Sequence, residues 1–153
     1  MRITYAGYIL VVDDDIDFLT PANKILTAKG FSVVLARSIA EAEKLLGPKP
    51  DMIVLRDKGL KETGLDGLAF LTAIQQNLAT ALIPVIIVFN FMDREKDCEV
   101  DAMISKALRA GASSVLVKPR KKIAYTNFIS SELLVLINRI FDNQKDGSPT
   151  REE

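Results

Sequence analysis

Five short apolar runs punctuate the chain: YILVV at 8–12, SVVLA at 32–36, MIVL at 52–55, PVIIVF at 84–89 and SVLV at 114–117. Each is continuously apolar rather than alternating, the pattern of strands buried on both faces of a parallel sheet. Stretches of helical period lie between and after them, so strand and helix alternate five times. That rhythm predicts an α/β fold with helices on both faces of one parallel sheet.

The helical stretches carry their own boundaries. Lys24 to Lys29, with Ala22, Ile25 and Leu26 inward, stops at Gly30, and Thr20-Pro21 is either its N-cap and N1 pair or a bend in its first turn. Ser38-Ile-Ala-Glu41 is a capping box opening a second helix that buries Ile39, Ala42 and Leu45. A third follows Asp66-Gly67 with Leu68, Leu71 and Ile74 facing in. The fourth has the cleanest period, Val100, Met103, Ile104, Ala107 and Leu108, closed by Gly111. The fifth, over 126–141, places Ile129, Leu133, Leu136, Ile137 and Ile140 on one side. Beyond Phe141 the sequence is polar, which predicts a folded domain over 1–142 and a flexible tail over 143–153.

Composition narrows the function. A chain of 153 residues suffices for one domain with a full core. Twenty basic residues balance 20 acidic ones, so bulk charge does not draw the protein to nucleic acid or an anionic membrane. The longest apolar run, ALIPVIIVF at 81–89, falls well short of the roughly 20 residues of a membrane span. YILVV runs straight into three aspartates without a signal-peptide profile, so a cytoplasmic location is expected. With Cys98 alone and no histidine, an internal disulfide, a histidine-bearing zinc site and a histidine-based triad are excluded. Neither GxGxxG nor GxxxxGK[ST] occurs, and the loop after the first strand is acidic where a phosphate cradle needs glycines, which counts against a small flavodoxin-like enzyme.

In an open parallel sheet a ligand sits beyond the carboxyl ends of the strands. The residues there are Asp13, Asp14 and Asp15 after the first strand, Arg56 and Asp57 after the third, Phe89 and Asn90 after the fourth, and Lys118-Pro119 after the fifth. Adjacent carboxylates at such an end form a hard-cation site. On a plainer reading Asp15 or Asp17 caps the first helix and the other acids are solvated.

Taken in order, ILVVDDD (9–15), PDMIVL (50–55), Asp66-Gly67, IPVI (83–86) and AGASSVLVKP (110–119) resemble the receiver domain of response regulators in two-component signalling, over residues 8–141. The resemblance implies a flavodoxin-like, doubly wound five-stranded parallel sheet of order 2-1-3-4-5, and a signalling module rather than an enzyme. In that family an acidic pair after strand one and an aspartate ending strand three bind magnesium. The latter aspartate takes a phosphoryl group that a lysine after strand five contacts. Asp13 and Asp14 match the acidic pair and Lys118 the lysine.

The departures are specific. The acceptor slot holds Arg56, the hydroxyl slot after strand four holds Phe89, and the aromatic slot in strand five holds Val115. Phenylalanine offers no hydrogen bond to a phosphoryl oxygen, and a larger Phe89 beside a smaller Val115 roughly conserves volume. Asp13, Asp14, Arg56 and Lys118 already sum to zero charge. A guanidinium forking onto two carboxylates would therefore replace the metal, and no cofactor is expected.

The rival reading makes Asp57 the acceptor through a slip at the end of strand three, with Asp13, Asp14 and Asp57 holding Mg2+. The loop KGLKETGLDG is longer than the family usually carries, and so is the segment NFMDREKDCEVDAM before the fourth helix. The leading expectation is a stand-alone degenerate receiver, or pseudo-receiver, that binds partners without phosphorylation. Its expected partners are a histidine kinase or a downstream signalling protein, with neither direct nucleic-acid binding nor a membrane. A homodimer through helix 4, strand 5 and helix 5 is also consistent with the resemblance. Tyr125 and Phe128, at the start of the fifth helix, are either interface anchors or ordinary packing.

Overall fold

The structure, a computed structural model, describes residues 7–58, 66–93 and 95–146. Five strands form one parallel sheet in the order β2-β1-β3-β4-β5: β1 (Tyr8–Val12), β2 (Ser32–Ala36), β3 (Met52–Asp57), β4 (Val85–Phe89) and β5 (Ser114–Val117). The helices between them are α1 (Ile16–Ala28), α2 (Ile39–Lys44), α3 (Gly67–Gln76) and α4 (Val100–Arg109). After β5 a 3-10 turn (Lys122–Ala124) leads into α5 (Tyr125–Phe128), a π-helical stretch (Ile129–Leu133) and α6 (Leu134–Asp146).

Side-chain alternation along the strands divides the core in two. Leu10, Val12, Ile53, Leu55, Ile87 and Phe89 pack with α2, α3 and α4. Ile9, Val11, Met52, Val54, Ile86 and Val88 pack with α1 and the C-terminal helix. Both layers are fully buried in the three central strands, as the continuous apolar runs require.

Several boundaries differ from expectation. Helix α1 starts before Thr20-Pro21, at Ile16, because Asp15 caps it by accepting from Asp17 N–H at 2.9 Å. Pro21 lies inside the helix, where it lacks an N–H to donate to the preceding turn. The Ser38 hydroxyl accepts from Glu41 N–H at 3.1 Å as the capping box requires, while Glu41 returns its bond to Arg37 N–H at 2.7 Å, one residue early. Strand β3 extends past Leu55 to include Arg56 and Asp57, both buried. Leu108, placed inward by the period of α4, is 46% exposed, since the helix rests on the sheet through Val100 and Ala107. The C-terminal helix begins at Tyr125 and continues beyond 141 to Asp146, across the expected boundary at 142/143. Residues 59–65 of the loop KGLKETGLDG, Arg94 of the segment before α4, and 147–153 of the tail lie outside the described residues.

Gly67 fixes how α3 meets the sheet. A Cβ at this position would stand 2.7 Å from the Arg56 carbonyl oxygen and 3.2 Å from Asp57 Cα, so the helix approaches the end of β3 through a residue without a side chain. Gly67→Ala is therefore expected to destabilise the fold by about 1–3 kcal/mol through forced displacement of α3, read as a lower urea midpoint at unchanged m-value.

Candidate functional site: the cleft at the carboxyl ends of the strands

The sheet brings Asp13, Asp14, Arg56, Asn90 and Lys118 together at the carboxyl ends of β1, β3, β4 and β5. Backbone bonds fix these ends: Asp13 N–H donates to the Ala36 carbonyl at 3.0 Å and Lys118 N–H to the Phe89 carbonyl at 2.8 Å.

Arg56 leaves β3 on the face shared by Met52 and Val54. Its Nη1 donates to Asp14 Oδ1 at 3.1 Å, its Nε donates to Asn90 Oδ1 at 3.2 Å, and Nε lies 4.0 Å from Asp13 Oδ1. The Arg56 side chain is 4% exposed while the Asp14 side chain is 50% exposed. The charge at residue 56 is thus withdrawn under the rim, and one of its partners still reaches water.

Lys118 takes the other side of Asp13. Its Nζ stands 2.7 Å from Asp13 Oδ2, a close buried ion pair. Both residues are buried. The ammonium also lies 4.4 Å from the centroid of Phe18 and 5.3 Å from that of Tyr125, two rings packed edge to face at 5.7 Å. Burial pushes the Asp13 carboxyl above its ordinary value, and Lys118, the Asp15 N–H at 2.9 Å and Arg56 pull it back only in part. The cleft therefore contains two basic and two acidic groups, with Asp13 Oδ2 held by Lys118 and Asp14 Oδ1 by Arg56.

Asp57 points the other way. Successive strand residues alternate, so its carboxylate lies on the face of Ile53 and Leu55, where it accepts from Leu68 N–H at 3.0 Å. Asp66 accepts from Ala69 N–H at 3.1 Å, and the two carboxylates together satisfy early amides of α3. Phe89 is fully buried on that face, directly across from Asp57, and Val115 packs in the same layer.

Tyr125 and Phe128, offered as alternative interface anchors, are buried among Phe18, Leu133 and their neighbours, so packing is their role. The start of the C-terminal helix is tied to α1 instead. The Tyr125 hydroxyl donates to Asp15 Oδ2 at 3.4 Å, and Lys122 Nζ reaches Asp17 at 2.9 Å and Asp15 at 3.4 Å. The Tyr125 phenol is pushed up to about 12 by burial and by the nearby Asp15 charge. A raised phenol value means that the fold favours the neutral form. That stability is complete below the ordinary value of 10 and is lost as pH rises through about 12. Titration of phenolate absorbance should show a component near 12 that Tyr125→Phe removes.

Sequence reasoning placed Asn90 at a strand end without a role and missed the Phe18–Tyr125 surround of Lys118. Phe18 carried a signal, since it falls on the inward face of α1 one turn after the acidic run.

The strand order 2-1-3-4-5, with an acidic pair after β1 and a lysine after β5, is the arrangement of a response-regulator receiver. The family model described as "Response regulator receiver domain" matches residues 9–129. The chain is 33% identical over 135 residues to the transcriptional regulatory protein ZraR of Salmonella typhi, covering 82% of this chain and 28% of that protein. It is 29% identical over 153 residues to the transcriptional regulatory protein CpxR of Escherichia coli, covering 94% and 57%. Among solved structures, a CheY-like receiver domain protein from Methanospirillum hungatei superposes with a TM-score of 0.68 at 21% identity, covering 94% of this chain and all of that one. A receiver domain of a histidine kinase from Syntrophus aciditrophicus gives 0.65 at 23%, covering 90% and 92%. The chain belongs to the response regulator receiver domain family of two-component signalling. It spans between about a quarter and somewhat over half the length of the curated relatives it matches. Among the described residues no helix is long and apolar enough to cross a membrane.

Proposed function

We propose that this receiver is degenerate: it docks signalling partners in one fixed state and does not take a phosphoryl group. The single observation that carries the reading is the buried Arg56 guanidinium bonded to Asp14 and Asn90, at the position where the family places its acceptor aspartate. Three aspartates and a lysine would sum to −2 and call for a divalent cation. Asp13, Asp14, Arg56 and Lys118 sum to zero, so Mg2+ would add uncompensated positive charge to a partly desolvated cleft. Arg56 would hold the carboxylates where a metal otherwise does. The carboxylate at 57 supports the reading by its employment at the start of α3, on the opposite face of the strand.

In this reading the partners are proteins, a histidine kinase or a downstream component, met through surfaces that do not change with phosphorylation. ZraR and CpxR are named as transcriptional regulators, an activity of proteins of which this chain spans 28% and 57%. Calorimetric titration with Mg2+ tests the proposal. No heat beyond dilution at millimolar metal supports it. Micromolar binding abolished by Asp14→Asn refutes it.

A further inference from the structure

The connection between β4 and α4 is held at successive residues that point in different directions. Asn90 faces the cleft and accepts from Arg56. Phe91 faces outward and remains 41% exposed. Met92 turns back into the buried layer that also holds Phe89. Asp93 then closes a turn, accepting from Glu95 N–H at 2.9 Å while its own N–H donates to Asp97 at 3.0 Å. Such a segment has little apolar burial beyond Met92 to hold it, and a surface aromatic at its head needs another reason to stay in place.

Arg120, two residues past Lys118, supplies that reason. Its guanidinium carbon lies 4.7 Å from the centroid of Phe91, and its Nη2 lies 3.9 Å from Asp93 Oδ2. The planar, delocalised cation suits an aromatic face better than a lysine ammonium would. The geometry points to a latch: Arg120, carried by the segment after β5, closes over Phe91 and Asp93 and holds the β4–α4 connection beside the mouth of the cleft. Opened, the latch uncovers the face of Phe91 and releases Asp93 from Arg120, which loosens the turn that follows Met92. Its contacts are exposed, so it opens without disturbing the buried Asp13–Lys118 pair. The latch does not rest on the proposed role of Arg56, and the two fail separately, because substitutions at 91 and 120 leave the acceptor position intact.

Amide hydrogen exchange on the whole chain, followed in peptides covering 90–99, tests the latch. Arg120→Ala is expected to speed exchange there about two- to fivefold, the range of an exposed cation–aromatic contact, with peptides from β1 and β3 unchanged. Phe91→Leu should do the same, and the double variant should exchange no faster than the faster single one. Arg120→Lys, which keeps the charge near Asp93, should resemble Arg120→Ala. Unchanged exchange in Arg120→Ala, additive effects in the double variant, or wild-type behaviour in Arg120→Lys would each overturn the latch.

Discussion

Lys118→Met is expected to lower the stability of the domain by about 3–5 kcal/mol, the largest effect of any single substitution at the cleft. The cause is the partner left behind. Asp13 is buried with its Oδ2 held 2.7 Å from the lysine, and burial already disfavours its charge with the ammonium in place. Without Lys118 the carboxylate keeps only the Asp15 N–H and a guanidinium nitrogen 4.0 Å away, so it must take up a proton or draw in water. The double variant Asp13→Asn, Lys118→Met removes the stranded charge and should recover most of the loss, because an amide and a thioether fit beside Phe18 and Tyr125 without an ion pair. Urea unfolding of the two single variants and the double variant measures the coupling. A loss below about 1 kcal/mol for Lys118→Met would show the pair to be dispensable, as exposed pairs usually are.

Arg56→Asp should reverse the electrostatics of the cleft. The change takes the four groups from zero to −2, removes the guanidinium that engages Asp14, and sets a third carboxylate on the face from which Arg56 now reaches the pair. Mg2+ affinity is expected to rise roughly a hundredfold or more, from undetectable at millimolar metal into the range of ordinary carboxylate sites. Asn90 loses a donor in the exchange, so a small loss of stability without metal, about 1 kcal/mol, should be restored when Mg2+ is added. Calorimetry and thermal melts with and without metal read both effects. If the variant binds Mg2+ no better than the parent, the charge balance is not what keeps metal from the cleft.

The sheet was readable in advance because each strand is apolar on both faces, and burial of both faces leaves few other folds for such runs. The expectation stopped short first at the charged end of β3. Arg56 and Asp57 look like the exit of a strand, yet both remain in β3, since each finds a partner on its own face. Leu108 satisfied the helical period and still faces outward, because α4 rests on the sheet through a narrow line of side chains. The 3-10 and π turns before α6 leave no sequence signature, as their hydrogen-bond patterns differ from α by one residue and little energy.

Within the cleft, alternation along β3 is enough to separate the directions of residues 56 and 57 from sequence. Asn90 and the Phe91–Arg120 contact were not legible, since they depend on how two connections lie across neighbouring strand ends rather than on any spacing along the chain.

The most direct measurement is intact-mass and peptide-level mass spectrometry of the wild-type chain after incubation with acetyl phosphate and Mg2+. The account predicts an unchanged mass, with the same result under beryllofluoride. A phosphoryl adduct mapped to Asp57 would contradict it and return this domain to ordinary phosphotransfer.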